Sequence, residues 1–206
     1  MRIGIIGAGS VGGTLGRGLA KAGHAVAFGV RDPSDAKHVP LALGGTTVAS
    51  VREAVERSEL VIVATPWTAA QAAVVSAGDF GGRVLVDATN PIGPGFKLTH
   101  GFIDSGAEQV ARWATNARVV KAFNTVGVEV MANPAFGGAK AAMFIAGDDE
   151  AACTTVLGLA RELGFDAYRL GALMQARLLE PLAMVWITMA MPLKHGREIA
   201  LGLLRR

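Results

Sequence analysis

Cysteine is nearly absent from this chain of 206 residues: Cys153 stands alone, which excludes a disulfide framework and any metal site built on paired thiolates. A reducing, cytoplasmic setting is the expectation that follows. Charge is also scarce, at 18% of residues with a net +3, and no basic run exceeds Arg205-Arg206. Nucleic acid is therefore not expected as a partner, whereas a mild positive bias suits a phosphorylated small molecule. Long apolar runs are missing too. Leu178 to Leu193 is too short to span a bilayer and carries Glu180, Pro181 and Pro192. The apolar start after Arg2 is broken by five glycines before Thr14, unlike a secretory leader, so no membrane association is expected. His38, His100 and His195 show no H-x-x-H spacing and no carboxylate clustering, so no metal site is expected; His24, in a turn, reads as structural. Ser-x-x-x-Lys and Tyr-x-x-x-Lys pairs are absent, and no catalytic acid or base is assigned.

What the chain has instead is glycine, 27 residues of it, within a composition that is 51% hydrophobic, as in a well-packed α/β protein. The glycines matter most in the opening stretch. An apolar run (Ile3, Ile5, Ile6) breaks into Gly7-Ala8-Gly9-Ser10-Val11-Gly12, a helical segment follows to about Ala22, and a second apolar run covers Ala25 to Val30. Strand, glycine turn, helix and strand with G-x-G-x-x-G at the first junction is the context of a dinucleotide-binding motif. Gly7 permits the tight turn, Gly9 leaves room for a pyrophosphate, and Gly12 lets the helix sit close to the strand. The amides at Ser10 and Val11, at the positive end of the helix dipole, face the phosphates.

Further along, Ser50 with Glu53 reads as a capping box before a helix over Val51 to Arg57. Buried parallel strands are expected at Leu60–Ala64, Val84–Ala88 and Arg118–Phe123, with weaker strands at Thr46–Ala49, Ala141–Ala146 and Ala167–Leu170. Helices are expected at Thr68–Ala77, Ala107–Trp113 and Glu150–Leu163. The last element reads as one or two apolar helices from Leu173 to about Leu204, interrupted at Pro181 and Pro192. Strands alternating with helices define an α/β fold with a doubly wound, mostly parallel sheet of the Rossmann type and a helical C-terminal extension. Residues 1–170 form the dinucleotide-binding domain, and 171–206 the extension packed on it as part of one structural unit.

In such sheets ligands bind outside the carboxyl ends of the strands. The end of the second strand separates the two cofactor forms, because NAD enzymes place an acidic residue there. Here Val30 is followed by Arg31, whose guanidinium matches a 2′-phosphate in charge and bidentate geometry. Arg31 could instead be a solvated turn residue. Asp32 could turn inward and favour NAD, but its place before Pro33 suits a turn. The balance favours NADP(H). The fourth strand ends at Thr65-Pro66-Trp67, where Pro66 makes a rigid shelf for the nicotinamide ribose and Trp67 either joins it or packs as an ordinary loop residue. Asn90 and Asn124 end buried strands; each either caps the following turn or reaches the nicotinamide or substrate. Asp87 suits anchoring of loop amides better than catalysis, and Lys121, in mid-strand, could reach either face. Hydride transfer between two ring cofactors requires close stacking and little acid–base help, which accords with the missing catalytic pair.

Taken together, GIIGAGSVGG, GVRDP, VIVATPW, VLVDATNP and VVKAFNT resemble the F420-dependent NADP oxidoreductases and the related oxidoreductase domain of the STEAP metalloreductases, and Gly171 to Pro192 resembles the C-terminal helical part of the same group. The resemblance implies NADP(H) across the glycine turn, with a Ser-Arg pair at the second strand end holding the 2′-phosphate. Arg31 matches the arginine, and Val30 stands in place of the serine. Pro66, Asn90, Ala122 and Asn124 fall where that family lines the nicotinamide end, against which F420 or a flavin would lie as co-substrate, walled by the C-terminal helices. It also implies a homodimer through those helices. The leading expectation is hydride exchange between NADPH and a flavin-like or deazaflavin acceptor. Reduction of a small imine, carbonyl or ferric substrate, or a non-catalytic NADP(H)-binding redox sensor, stand as alternatives. Residues 93–106, glycine-rich and without periodicity, suggest a mobile loop beside the site.

Overall fold

Strands that are hydrophobic on both faces need helices on both sides, and this requirement organises the molecule. The computed structural model describes residues 1–42 and 44–204, with the backbone alone at 39 and 40, so Arg205-Arg206 lie outside the described residues. The first six strands are β1 (Arg2–Ile6), β2 (Ala25–Val30), β3 (Thr46–Ser50), β4 (Leu60–Val63), β5 (Val84–Asp87) and β6 (Arg118–Lys121). A small hairpin, β7 (Ala135–Phe136) with β8 (Ala139–Lys140), stands apart from the main sheet, which β9 (Ala142–Gly147) and β10 (Asp166–Gly171) complete. The helices are α1 (Ser10–Lys21), α2 (Val51–Glu56), α3 (Trp67–Ala77), α4 (Gly106–Trp113), α5 (Val128–Ala132), α6 (Glu150–Glu162) and α7 (Ala176–Ala190).

Strand order in the main sheet is β10-β9-β6-β5-β4-β1-β2-β3, and each neighbouring pair is parallel except β6 with β9. The run β3-β2-β1-β4-β5-β6 is the doubly wound Rossmann order, with the direction of winding reversing between β1 and β4. Alternation along β1 feeds both layers. Ile3 and Ile5 pack with Leu15, Leu19, Phe28 and Phe165, while Ile6 joins Val55, Val63, Val74 and Leu85 on the opposite face. Full burial of a side chain such as Phe28 stabilises the fold by about 1.5–3 kcal/mol.

The expected capping box forms: Ser50 Oγ accepts from the Glu53 amide, and the Glu53 carboxylate accepts from Ser50 N at 3.1 Å. The C-terminal segment departs from expectation. The chain passes through Pro181 without a break in α7, and the helix ends at Ala190. Pro192 has no N–H with which to continue the ladder. Leu193 N bonds Thr188 O, and Lys194 turns into the left-handed region at φ 58°. From there to residue 204 the backbone is not helical. Leu201 O accepts from Ala142 N, Ile199 O accepts from Trp186 Nε1 at 2.7 Å, and Arg197 pairs with Glu129 at 2.7 Å. The tail is a strap over the body; its apolar residues imitate a helical pattern but serve as packing contacts. Among the described residues, no helix is long and apolar enough to cross a membrane.

Candidate active site

The glycine turn shapes the crevice at the carboxyl ends of β1 and β4. Gly7 takes φ 104° and donates its N–H to Gly29 O at 3.1 Å, tying the turn to the end of β2. A Cβ at Gly12 would lie 2.1 Å from Gly7 O, so the close approach of α1 to the turn depends on glycine there. A Cβ at Gly9 would meet no protein atom within 4 Å, because that position faces open space. Gly9 is also the N-cap of α1. No side chain caps the helix, and its first turn holds no acidic residue, which leaves its amides to an external acceptor.

Two depressions flank this turn and share Thr65 and Pro66. The larger, about 620 Å³, runs from Gly7 along Val30, Arg31 and Asp32 to the start of the 3-10 turn Ala36–Leu41. The smaller, about 410 Å³, contains Gly9, Ser10, Val11, Thr65, Pro66, Trp67 and Asn90. Together they form one crevice at the point where the sheet's winding reverses, with one end beside β2 and the other beside β5. Thr65 Oγ1, buried between the two, has no hydrogen-bond partner among the described residues. A crevice with an uncapped helix start, an orphan hydroxyl and an open position above Gly9 fits a dinucleotide phosphate.

At the β2 end the two candidate readers separate. Asp32 Oδ1 accepts from Ser34 N at 2.9 Å and Ser34 Oγ at 2.6 Å, and these bonds hold its carboxyl below the usual range. Asp32 therefore builds the turn. Arg31 is exposed and has no hydrogen bond or ion pair among the described residues. Lys37 and His38 reach the same cleft from the 3-10 turn. Sequence reasoning missed both, because the segment after Pro33 has no periodicity to orient it.

At the other end, Asn90 and Asn124 meet each other. Asn124 Nδ2 donates to Asn90 Oδ1 (3.0 Å) and to Leu179 O in α7 (3.0 Å), while Asn90 Nδ2 donates to Asn124 O (2.9 Å). Asn124 Oδ1 is buried without a partner among the described residues, an acceptor left over for a ligand amide or for water. Asn90 lines the smaller depression, and Asn124 stands behind it. Ala122 is fully buried in the core and lines neither depression. Trp67 lies against Trp113, with ring centroids 5.3 Å apart, and meets His100 edge-on at 5.5 Å. It packs on those two rings and also lines the smaller depression.

Lys121 resolves the question left by its place in mid-strand. It is 0% exposed, and its Nζ donates to Thr89 O (2.6 Å), Asp87 Oδ2 (2.9 Å) and Glu180 Oε1 (2.8 Å). Burial opposes its charge, but the carboxylates of Asp87 and Glu180 outweigh that and hold its pKa above the ordinary value. Asp87 also accepts from Thr89 N and Oγ1, as expected of a loop anchor, and Glu180 accepts from Gly106 N and Ala107 N at the start of α4. An ammonium held by three acceptors away from the crevice cannot serve as a general acid. It holds the Thr89-Asn90 corner and α7 together.

A dinucleotide-binding protein of the doubly wound class is what this fold and crevice define, and comparison with known proteins narrows the class. Residues 2–91 match the family model described as NADP oxidoreductase, coenzyme F420-dependent. A candidate F420-dependent NADP reductase from Arthrobacter sp. FB24 is 32% identical, with all of both chains covered and a TM-score of 0.89. The rat metalloreductase STEAP3 is 31% identical over 180 residues, 87% of this chain and 36% of that protein, so the chain spans about a third of that relative's length. A reductive aminase from Aspergillus terreus, solved with NADPH and ethyl levulinate, is 20% identical over 91% of this chain and 60% of the other, with a TM-score of 0.68, and shows the shared fold alone. The chain belongs to the F420-dependent NADP oxidoreductase family.

Proposed function

We propose that the protein transfers a hydride between NADPH and a deazaflavin of the F420 type, or a flavin-like ring in its place. One observation carries the cofactor half. In a single crevice the sequence provides an uncapped helix start and an arginine with no hydrogen-bond or ion-pair partner among the described residues, while the neighbouring carboxylate is consumed by its own turn. Gly7, Gly9, Ser10, Val11 and Gly12 would hold the pyrophosphate, and Arg31 the 2′-phosphate. Thr65, Pro66, Trp67, Asn90 and the Asn124 amide behind it would border the nicotinamide.

When bound, the dinucleotide would supply the hydride, and the residues lining the crevice would position it. The residues lining the smaller depression include no ionisable side chain, which supports a planar acceptor brought to stacking distance rather than a substrate protonated by the protein. A homodimer through α7 belongs to the same reading. Leu178 (59% exposed), Val185 (50%) and Met189 (38%) stand on one face of that helix, and a second copy would cover them.

The test is NADPH oxidation assayed with F420, FMN, FAD and ferric chelates, alongside the affinities of NADP(H) and NAD(H). Turnover with F420 or a flavin, and binding of NADP(H) far tighter than NAD(H), are expected. Arg31→Ala should weaken NADP(H) about 10- to 100-fold, the loss of a charge-assisted bidentate contact. Equal affinity for the two cofactors, or an unaffected variant, would overturn the role of Arg31. Turnover only with ferric chelates would move the acceptor to that class, and tight NADPH binding without turnover would indicate a sensor.

A further inference from the structure

The charged groups at the β2 end of the crevice are unequally occupied. Asp32 is tied to Ser34, and Lys37 Nζ is paired with Asp35. Arg31 and His38 line the same cleft, and neither side chain makes a hydrogen bond or ion pair among the described residues. Val30, which ends β2, offers no hydroxyl or charge. Building on the NADP(H) reading above, we propose that His38 is a second, pH-dependent contact of the 2′-phosphate, so that preference for NADP(H) over NAD(H) strengthens as pH falls from alkaline to neutral.

The chemistry follows from charge balance. A phosphate dianion against one guanidinium keeps about one negative charge, because a phosphomonoester carries about −1.5 to −2 near neutrality. A neutral imidazole can add one hydrogen bond, whereas an imidazolium adds the bond and cancels the remaining charge. A bound phosphate dianion favours the imidazolium form, so binding is linked to uptake of a proton from solvent onto the ring. Below about pH 6 the phosphate itself protonates and the advantage fades. The ionisable groups facing His38 are Arg31, Asp32, Asp35 and Lys37. Neither β3 nor the part of α3 that lines the cleft presents one. Asp32 is bonded within its own turn, and Asp35, whose charge His38 feels, is already paired with Lys37, so a ligand phosphate is the stronger anion open to His38.

The experiment is calorimetric titration of NADP⁺ and NAD⁺ into the intact protein near pH ~6.5 and ~8.5, in two buffers of different ionisation enthalpy, for wild type, His38→Gln and His38→Arg. The expected outcome is that His38→Gln weakens NADP⁺ about tenfold relative to NAD⁺ at the lower pH and about twofold at the higher, with loss of the proton uptake seen in wild type. His38→Arg should bind NADP⁺ tightly with no pH dependence beyond that of the phosphate. A His38→Gln protein that keeps the wild-type pH profile and proton uptake overturns the role of His38 while leaving Arg31 intact. Wild type that fails to prefer NADP⁺ at either pH overturns the cofactor reading itself.

Discussion

Lys121→Met tests whether the buried charge cluster holds the site corner together. The substitution keeps length and removes the cation from a fully buried position where Nζ lies 2.8 Å from Glu180 and 2.9 Å from Asp87. Two carboxylates then share a dry space, each keeping its backbone donors but losing its counter-charge. Removing one member of a buried ion pair costs about 3–5 kcal/mol, a large part of a typical stability of about 5–15 kcal/mol. In a chain of this size that corresponds to roughly 6–20 °C in melting temperature. The sign of the pH dependence is fixed. In the variant one carboxylate is pushed above its unfolded pKa, so the deficit grows as pH rises from about 4 and is smallest in mild acid. In wild type the raised Lys121 pKa contributes stability fully present below the ordinary lysine value and lost only in strong alkali. Denaturant unfolding of wild type and variant at pH ~5 and ~8 measures the deficit and its pH dependence. A deficit below about 1 kcal/mol at pH ~8, or one that does not shrink in acid, would refute the reasoning.

Gly12→Ala places a Cβ 2.1 Å from Gly7 O, a backbone atom that cannot yield without moving the turn, so NADPH affinity in a fluorescence titration should fall at least about tenfold. Asp104 accepts from both guanidinium nitrogens of Arg112 at 3.1 Å, and this holds its pKa at about 2. Its contribution is present above the ordinary carboxylate pKa and is lost as pH falls from about 4 towards 2; Asp104→Asn should flatten the acid limb of a melting-temperature curve over that range.

The parts of the fold legible in the sequence are those written in local patterns. The two-faced apolar runs Leu60–Val63 and Val84–Asp87 are strands because only a covered sheet can bury both sides of such a segment. Ser50 and Glu53 announce a helix start because the capping box spans four consecutive residues. The strand ends converge on one crevice through topology, which alternation alone implies. The opaque parts depend on distant partners. Asp87 and Lys121 are 34 residues apart, and Glu180 joins them from a separate helix, so no spacing rule marks them as one cluster. Short α5 and the β7–β8 hairpin, at five and two residues per element, lie below the length at which periodicity shows. The tail beyond Pro192 carries apolar residues at helical spacing, yet its amides and carbonyls bond to Ala142 and Trp186, a choice made by tertiary contacts. Lys37 and His38 reach the crevice because the Asp32–Ser34 turn redirects the chain.

The most direct test is an anaerobic mixture of the protein with NADPH and F420, followed at the absorbance bands of both. Stoichiometric loss of NADPH with reduction of F420, much slower when NADH replaces NADPH and in Arg31→Ala, is the expected result. Tight NADPH binding without hydride loss to F420, FMN or FAD would contradict it.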